Sequence, residues 1–239
     1  MATLVEYRRR FAAAMLGFQY LKFAWAGPCI AYLFHPLLKK FLSGKTLSLS
    51  GFHARVGTDD FFVLGQIFRE YDTRSLLFGL ANCDLAIDAG ANVGAFGWLA
   101  KKLKPSARIV AVEPEQANFQ ALAGQPFAAQ IKSFCAALST DDQGTFLIKS
   151  DHSATHQTTT DSAKGTFIPT VTLQSLVGDA QWVLLKLDIE GAEKKILESG
   201  LPDSIHMIIM EWHFPDSPPR LAGGEWTYHG ESSYTWLKA

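Results

Sequence analysis

From residue 85 onward, apolar runs of strand length alternate with segments of helical periodicity. The strand candidates are nearly continuous in valine, isoleucine and leucine, which is typical of strands buried on both faces of a parallel sheet. Strands that alternate with helices in this way predict a doubly wound α/β fold. We assign the strands to residues 84–90, 107–114, 131–138, 182–191 and 205–213.

Two helices are expected between the first three strands. Residues 93–103 repeat apolar side chains at helical spacing, with a lysine pair near the end, where positive charge suits the helix dipole. The second helix begins after residue 114 and stops at Gly124. Prolines after residue 213 disfavour a further helix there. Residues 225–239 alternate aromatic and polar side chains around a Gly-Glu-Ser turn, which predicts a closing antiparallel hairpin.

Two segments carry alternative interpretations. The Ser/Thr-rich residues 150–166 read as a mobile surface loop, with a substrate lid as the alternative. The C-terminal aromatic side chains either pack along a strand or stack on a sugar or planar ligand. These side chains are Trp226, Tyr228, Tyr234 and Trp236.

Composition narrows the function classes. The chain has 239 residues, 48% of them hydrophobic, which is enough for a full core. The chain has 22 basic and 23 acidic residues, so it has no excess of positive charge to attract nucleic acid. We therefore expect no nucleic-acid partner. The cysteines are three in number, far apart and without a CxxC pair, which favours a reducing compartment and hence the cytoplasm. They are Cys29, Cys83 and Cys135.

The N-terminal segment allows three interpretations. Arginines at 8–10 precede an apolar run that Gln19 and Lys22 interrupt and that Gly27-Pro28 ends, before about twenty apolar residues accumulate. One or two amphipathic helices would pack on the core or act as a lid. Peripheral membrane contact through residues 1–42 and an export signal are the alternatives.

Residues 85–97, LAIDAGANVGAFG, place an aspartate and three glycines directly after a predicted buried strand. A P-loop needs a lysine after its last glycine, and residues 90–97 contain none. The SGKT sequence at 43–46 lacks the first P-loop glycine, because Lys39 stands at that position. A dinucleotide site is disfavoured too, because Asn92 replaces the second glycine and would crowd a pyrophosphate.

S-adenosylmethionine carries a ribose and an adenine but no phosphate, which suits this loop. It needs close backbone approach and an acceptor for its ribose hydroxyls. Glu113 ends the second predicted strand, 25 positions after Asp88, where Rossmann-type folds place such a carboxylate. An ordinary strand-end carboxylate is the alternative for Glu113. Asp88 could bind the ammonium group of the cofactor, directly or through water.

Six segments occur in the order and spacing of one known family: IDAGANVGAFG, VAVEPEQANFQAL, AAL, VTLQSL, LLKLDIEGAEKKIL and IIMEWH. The chain therefore resembles the FkbM family of S-adenosylmethionine-dependent methyltransferases over residues 55–213. The resemblance implies a Rossmann-like class I methyltransferase fold, α/β with a mostly parallel sheet and a C-terminal antiparallel hairpin. We expect this domain at residues 51–239, after an N-terminal helical extension at 1–50.

The resemblance also implies a function and a set of site residues. S-adenosylmethionine would be the cofactor, and the usual reaction is O-methylation of a small-molecule or carbohydrate hydroxyl. Four positions form the cofactor loop, one binds ribose, two lie against adenine, and two face the methyl-transfer region. In that order, the positions are Asp88, Gly90, Asn92 and Gly94; Glu113; Ala137 and Leu138; and Asp188 and Glu190.

A hydroxyl acceptor must lose its proton as it attacks, so we look for a general base at the carboxyl ends of the strands. Asp188, Glu211 and His213 are the catalytic candidates there, and His213 is expected to titrate near neutrality. Alternatively, His213 is a partly buried side chain bonded to a carboxylate such as Glu211. Glu190 could instead belong to the first turn of the following helix.

Other functions are weaker alternatives. His152 and His156 have helical ligand spacing, but their Ser/Thr surroundings favour solvated loop histidines, and we predict no metal. The main alternative is a noncatalytic binding module that keeps the cofactor fold and binds a partner, with contact to a membrane through residues 1–42 as one form of it. A nicotinamide-dependent enzyme is a more distant one.

Overall fold

The computed structural model describes residues 11, 15, 23–69, 72–150, 156–230 and 232–239. The helices are α1 (Phe23–Leu42), α2 (Asp60–Arg69), α3 (Thr73–Asn82), α4 (Ala95–Leu103), α5 (Gln116–Ala123), α6 (Leu173–Val177) and α7 (Glu193–Glu198). The first seven strands are β1 (Thr46–Leu49), β2 (Phe52–Arg55), β3 (Leu85–Ala89), β4 (Arg108–Val112), β5 (Lys132–Phe134), β6 (Ala137–Ser139) and β7 (Thr145–Ile148). The others are β8 (Gln157–Thr159), β9 (Thr166–Ile168), β10 (Thr170–Thr172), β11 (Val183–Leu187), β12 (Ile205–Glu211), β13 (Gly224–Gly230) and β14 (Ser233–Lys238).

Seven strands form the central sheet in the order β13-β14-β12-β11-β3-β4-β5. The strands from β12 to β5 are parallel to one another, and β14 pairs antiparallel with both β12 and β13. The strand order reverses between β3 and β11, the point at which open α/β sheets bind ligands. The predicted α/β fold, with its mostly parallel sheet and closing antiparallel hairpin, is confirmed.

The sheet is buried on both faces, as its near-continuous apolar strands predict. One face packs against α2, α3 and α4, where Phe52, Leu64 and Trp98 are almost fully buried. The other face packs against α6 and α7, through side chains such as Leu173 and Ile196. Alternate strand residues point to opposite faces, so each strand contributes to both cores.

The strand predicted at 131–138 is in fact two strands. β5 belongs to the central sheet, whereas β6 leaves it and pairs in parallel with β10. The strand pairing is interrupted between them at Cys135 and Ala136. There the backbone N–H of Ala136 donates to the carbonyl of Glu113 at 3.2 Å. Ala137 and Leu138 therefore pair with β10 and not with the central sheet.

The Ser/Thr-rich segment is partly ordered as a strand rather than wholly a surface loop. β8 pairs antiparallel with β7, which also pairs with β9, in a separate three-stranded sheet. His152 lies outside the described residues.

The N-terminal helix α1 packs into the main core through one face. Its Ala31 and Tyr32 are 6% and 2% exposed, and Tyr32 lies beneath Gly65 of α2. The hairpin of β1 and β2 follows, and the domain boundary expected at residue 50 falls in its turn. In the described part of the chain, no helix has the length and apolarity needed to cross a membrane.

The closing hairpin confirms the strand-packing interpretation for Trp226, Tyr234 and Trp236, whereas Tyr228 is 58% exposed. Trp236 is 3% exposed, and the Trp226 and Tyr234 rings meet edge to face with centroids 6.2 Å apart. Residues 212–223, between β12 and β13, contain no helix, as the prolines predict.

Candidate active site

A cleft opens at the carboxyl ends of β3, β4 and β11, beside the point where the strand order reverses. Including its open mouth, it encloses about 900 Å³ of space. Seven of the predicted site residues line it: Gly90, Asn92, Glu113, Ala137, Leu138, Asp188 and Glu190. Asp88, Gly94, Glu211 and His213 are not among its lining residues.

Neighbouring protein atoms leave no room for a side chain at two glycines of the turn. Gly90 has a φ of +77°, and a Cβ there would lie 1.7 Å from the carbonyl oxygen of Asp188. Gly94 has a φ of +88°, and a Cβ there would meet the side chain of Leu122 at 2.5 Å. Because these glycines let β3 and β11 approach each other and α4 pack closely, they shape the floor of the cleft.

Asp88 lies behind the wall of the cleft and has no solvent exposure. Lys186 of β11 stands in front of it, with Nζ 3.3 Å from Asp88, 3.5 Å from Asp188 and 2.6 Å from the carbonyl of Gly90. Burial lowers the pKa of Lys186, but the surrounding carboxylates outweigh this effect and keep it charged. The predicted direct contact between Asp88 and a cofactor ammonium does not fit this placement, because a lysine ammonium already occupies that position.

Glu113 follows β4 and faces the cleft, as expected for a ribose acceptor. One carboxylate oxygen accepts the backbone N–H of Asn92 at 2.7 Å, and the other accepts that of Glu115 at 2.9 Å. Asn92 therefore holds the turn through its backbone, in a left-handed conformation with φ 49°. Burial raises the pKa of Glu113 to about 7, against the lowering effect of these hydrogen bonds. A carboxylate can accept about four hydrogen bonds, so capacity remains for ligand hydroxyls.

The remaining walls come from elements outside the alternating core. β6 contributes Ala137 and Leu138, which provide an apolar surface suited to a base. α2 contributes Val63 and Ile67, among others. His156 and Thr158 of the Ser/Thr-rich segment also line the cleft, so this segment borders the site.

His213 lies just beyond β12 and joins two glutamates. Its Nδ1 is 3.0 Å from the fully buried carboxylate of Glu193, and its Nε2 is 3.4 Å from Glu190. Burial lowers the pKa of His213, but Glu193 and Glu190 outweigh burial and raise it to about 9. The expectation that His213 titrates near neutrality is therefore wrong. The alternative of a carboxylate-bonded histidine fits, with Glu193 rather than Glu211 as the close partner.

Of the two glutamates bonded to His213, Glu190 is the one that lines the cleft. It stands in the turn before α7, which begins at Glu193, and not in the first helical turn. Its φ of 55° is a left-handed conformation that is uncommon for a side chain of this size. Burial and the charge of Asp188 raise the pKa of Glu190 to about 7, and His213 opposes that shift.

Glu211 completes the cluster at the end of β12. Its carboxylate accepts the hydroxyl of Ser232 at 2.9 Å and lies 3.9 Å from His213 Nε2. Asp188, Glu211 and His213 bring one potential ligand atom each within 4.8 Å of one another. Because His213, with its pKa raised to about 9, is protonated near neutral pH and then has no nitrogen lone pair for a metal, we assign no ion to this group.

Sequence reasoning missed Lys186 and Glu193. A lysine inside an otherwise apolar, buried strand was a usable signal, because buried lysines need charged partners. Glu193 is 0% exposed and accepts the backbone N–H groups of Ile189 and Gly191 at 2.9 and 3.1 Å. Its position in the first turn of α7 indicated helix capping but not its contact with His213, which is 20 residues away.

The parallel sheet with its antiparallel closing strands, together with a cleft walled by a glycine turn and a strand-end glutamate, defines a class I methyltransferase. The chain belongs to the FkbM methyltransferase family, since the Methyltransferase FkbM domain model matches residues 88–228. The match starts at Asp88 and extends into β13, whereas the resemblance in the sequence covers 55–213. S-adenosylmethionine is the cofactor, and the cleft fits it through an apolar wall beside Leu138 and the acceptor capacity of Glu113.

The comparison with solved structures finds similarity at low identity and low TM-score. Human N-acetylserotonin methyltransferase in complex with SAM is 10% identical, with a TM-score of 0.38 over 99% of this chain and 72% of that one. Precorrin-6y C5,15-methyltransferase from Geobacter metallireducens is 12% identical, with a TM-score of 0.37 over 68% and 85%. The ribosomal protein L11 methylase of Lactobacillus delbrueckii is 10% identical, with a TM-score of 0.36 over 70% and 77%. The comparison with curated proteins finds no matching relative.

Proposed function

We propose that this methyltransferase acts on a hydroxyl oxygen of a small molecule or carbohydrate. The observation that supports this proposal is the position of Glu190, a cleft-lining carboxylate whose pKa is raised to about 7. A neutral hydroxyl must give up its proton as it attacks, and a base is most effective when its pKa is close to the working pH. Oxygen acceptors need such a base more than neutral amines, which carry a nucleophilic lone pair.

We assign a separate role in methyl transfer to each residue of this cluster. Bound between Glu113 and Leu138, S-adenosylmethionine would supply an electrophilic methyl group to the acceptor oxygen, with its neutral thioether as the leaving group. Glu190 takes the hydroxyl proton. His213, protonated and 3.4 Å from Glu190, positions that carboxylate, and Glu193 in turn positions His213. Lys186 balances the charge of Asp188 beside them.

This division differs from the catalytic set expected from the sequence. Asp188 remains a candidate beside the acceptor, because it lines the cleft. Glu211 and His213 lie behind Glu190 and act through it. The C-terminal aromatic side chains do not line the cleft, so acceptor recognition is better supported by the walls from α2 and β8.

The test is a transfer assay with S-adenosylmethionine carrying a deuterated methyl group. Matched acceptor panels offer hydroxyl, amine and thiol groups on sugars, polyols and phenols, and mass spectrometry with NMR locates the label. We expect the label on oxygen, with transfer reduced in Glu190→Gln. Label on nitrogen or sulfur with oxygen acceptors inert would contradict O-methylation. Tight cofactor binding without transfer to any panel would favour the noncatalytic module.

A further inference from the structure

The outward face of α1 is apolar and exposed. Four large side chains recur at spacings of four, three and four residues, which places them within about 60° of arc on an α-helix. Their exposed fractions range from 53% to 74%, far above those of ordinary packed side chains. We call this set the outer stripe: Ile30, Phe34, Leu37 and Phe41.

The outer stripe is distinct from the face through which α1 is attached. On that other face Tyr32 is buried, and the His35 ring stacks on Phe61 of α2 with centroids 4.5 Å apart. Leu38 and Leu42 also pack against the core. Because α1 is held by this inner face, the stripe is a surface that the fold presents on a fixed helix.

Positive charge accompanies the stripe. Residues 1–49 contain seven lysines and arginines against one glutamate, a net charge of +6. Residues 50–239 contain fifteen against twenty-two, a net charge of −7. On α1 itself, Lys39 and Lys40 are exposed beside Phe41, and no acidic residue occurs in the helix. A chain that is nearly neutral overall therefore concentrates its basic charge in the sequence segment that contains the outer stripe.

We propose that α1 lies along the surface of an anionic lipid membrane. The outer stripe would enter the boundary between headgroups and acyl chains, and the lysines would meet the lipid phosphates. Charge complementarity favours this partner over a second copy of the chain. Pairing two stripes would bring Lys39 and Lys40 of both copies close together, and like charges oppose such a contact.

The proposed membrane contact of α1 lies close to the cleft. α1 packs directly on α2, and α2 supplies Val63, Gln66 and Ile67 to the cleft wall. One helix therefore separates the proposed membrane contact from the cleft.

The experiment is vesicle flotation of the full chain. Neutral phosphatidylcholine vesicles are compared with vesicles that also contain about 30 mol % phosphatidylglycerol, at ionic strengths from about 0.05 to 0.5 M. We expect at least about tenfold stronger partitioning to the anionic vesicles at low salt, because each basic residue near the surface contributes roughly fivefold. Partitioning should fall as salt is added.

Two variants test the residues. Phe34→Glu combined with Leu37→Glu should reduce partitioning at least about tenfold, because two charges would have to enter the apolar boundary. Lys39→Glu combined with Lys40→Glu should reduce binding to anionic vesicles only. Phe167→Glu is the matched control, since Phe167 is 60% exposed on β9, where its ring meets that of Phe146, and the variant should bind as the parent does. Thermal unfolding verifies that each variant is folded.

Three results would overturn the proposal. One is equal partitioning of the parent chain to neutral and anionic vesicles, a comparison that needs no variant. Another is undiminished binding by the folded stripe variant. The last is a parent chain that ignores vesicles but sediments as a dimer that the stripe variant dissociates, which would assign the stripe to a second copy.

Discussion

The ammonium of Lys186 lies 3.3 Å from a carboxylate oxygen of Asp88, and neither side chain is more than 6% exposed. Burial raises the pKa of Asp88, and Lys186 opposes that shift. The same ammonium binds the carbonyl of Gly90 at 2.6 Å. One buried cation therefore ties the end of β3, the glycine turn and the end of β11 together beneath the cofactor cleft.

Lys186→Met should destabilise the fold by about 3–5 kcal/mol, because it leaves a buried carboxylate without its partner. Adding Asp88→Asn should restore part of that loss, since the uncompensated charge disappears. Urea unfolding measures both variants. Arg108→Met is the control: its ion pair with Asp179 lies at the surface, and its removal should hardly change the free energy of unfolding. Equal effects of Lys186→Met and Arg108→Met would contradict the structure.

Gly90→Ala should be far more damaging than a glycine replacement in open space. The added methyl group would lie 1.7 Å from the carbonyl oxygen of Asp188, so β3 and β11 must move apart. Gly200→Ala offers the comparison, because Gly200 has a similar φ of +86° with nothing within 4 Å. We expect Gly90→Ala to cost about 2 kcal/mol or more beyond Gly200→Ala in urea unfolding. Similar losses in the two variants would show that φ alone matters.

Glu113→Gln should weaken cofactor binding about 10- to 100-fold, the range expected when hydrogen bonds to a charged acceptor are lost. Isothermal titration with S-adenosylhomocysteine measures the change. Glu198→Gln, on the exposed side of α7, controls for the loss of one negative charge and should bind normally. Binding by Glu113→Gln that matches the control would remove Glu113 from the ribose site.

Glu190 should set the acidic limb of the pH–rate profile. Its raised pKa of about 7 means that the carboxylate is protonated below that pH, so kcat/KM should rise as pH passes through about 7. Glu190→Gln should lower kcat about 10²- to 10⁴-fold while the cofactor Kd changes little. The same limb in Glu190→Gln would assign the ionisation to another group.

His213 should make stability depend on pH at the alkaline end. Its folded-state pKa of about 9 lies above the ordinary value of 6.5, so its contribution is complete below about 6.5 and is lost as pH rises through 9. The difference in unfolding free energy between the parent and His213→Gln should therefore shrink over that window. A constant difference from pH 6 to about 9.5 would mean that the His213–Glu193 contact is not ionic.

Much of the fold could be predicted because local patterns and the sheet agree. The apolar runs that end at Asp88, Glu113 and Asp188 are strands, and Gly124 follows the helix that it was expected to end. The break at Cys135 could not be predicted in this way. Residues 131–138 are continuously strand-like, and only pairing with the distant β10 separates β5 from β6.

The cofactor wall was more predictable than the catalytic cluster for a physical reason. Strand ends and tight turns are local, so Gly90, Asn92 and Glu113 could be placed on one edge. Proton affinities depend on neighbours that are remote in sequence. His213 is 20 residues from Glu193, and no spacing rule connects them.

The walls contributed by α2 and β8 have a consequence for how this enzyme could diversify. In the described structure neither element takes part in the ion pairs or hydrogen bonds of Lys186, which hold the glycine turn, yet both border the space of the cleft. Exchanging side chains at Val63, Ile67 or Thr158 would reshape that space while methyl-donor handling stays intact. Under the proposed function, substitutions at these peripheral positions would change which acceptors fit the cleft, while the residues that hold the cofactor stay the same.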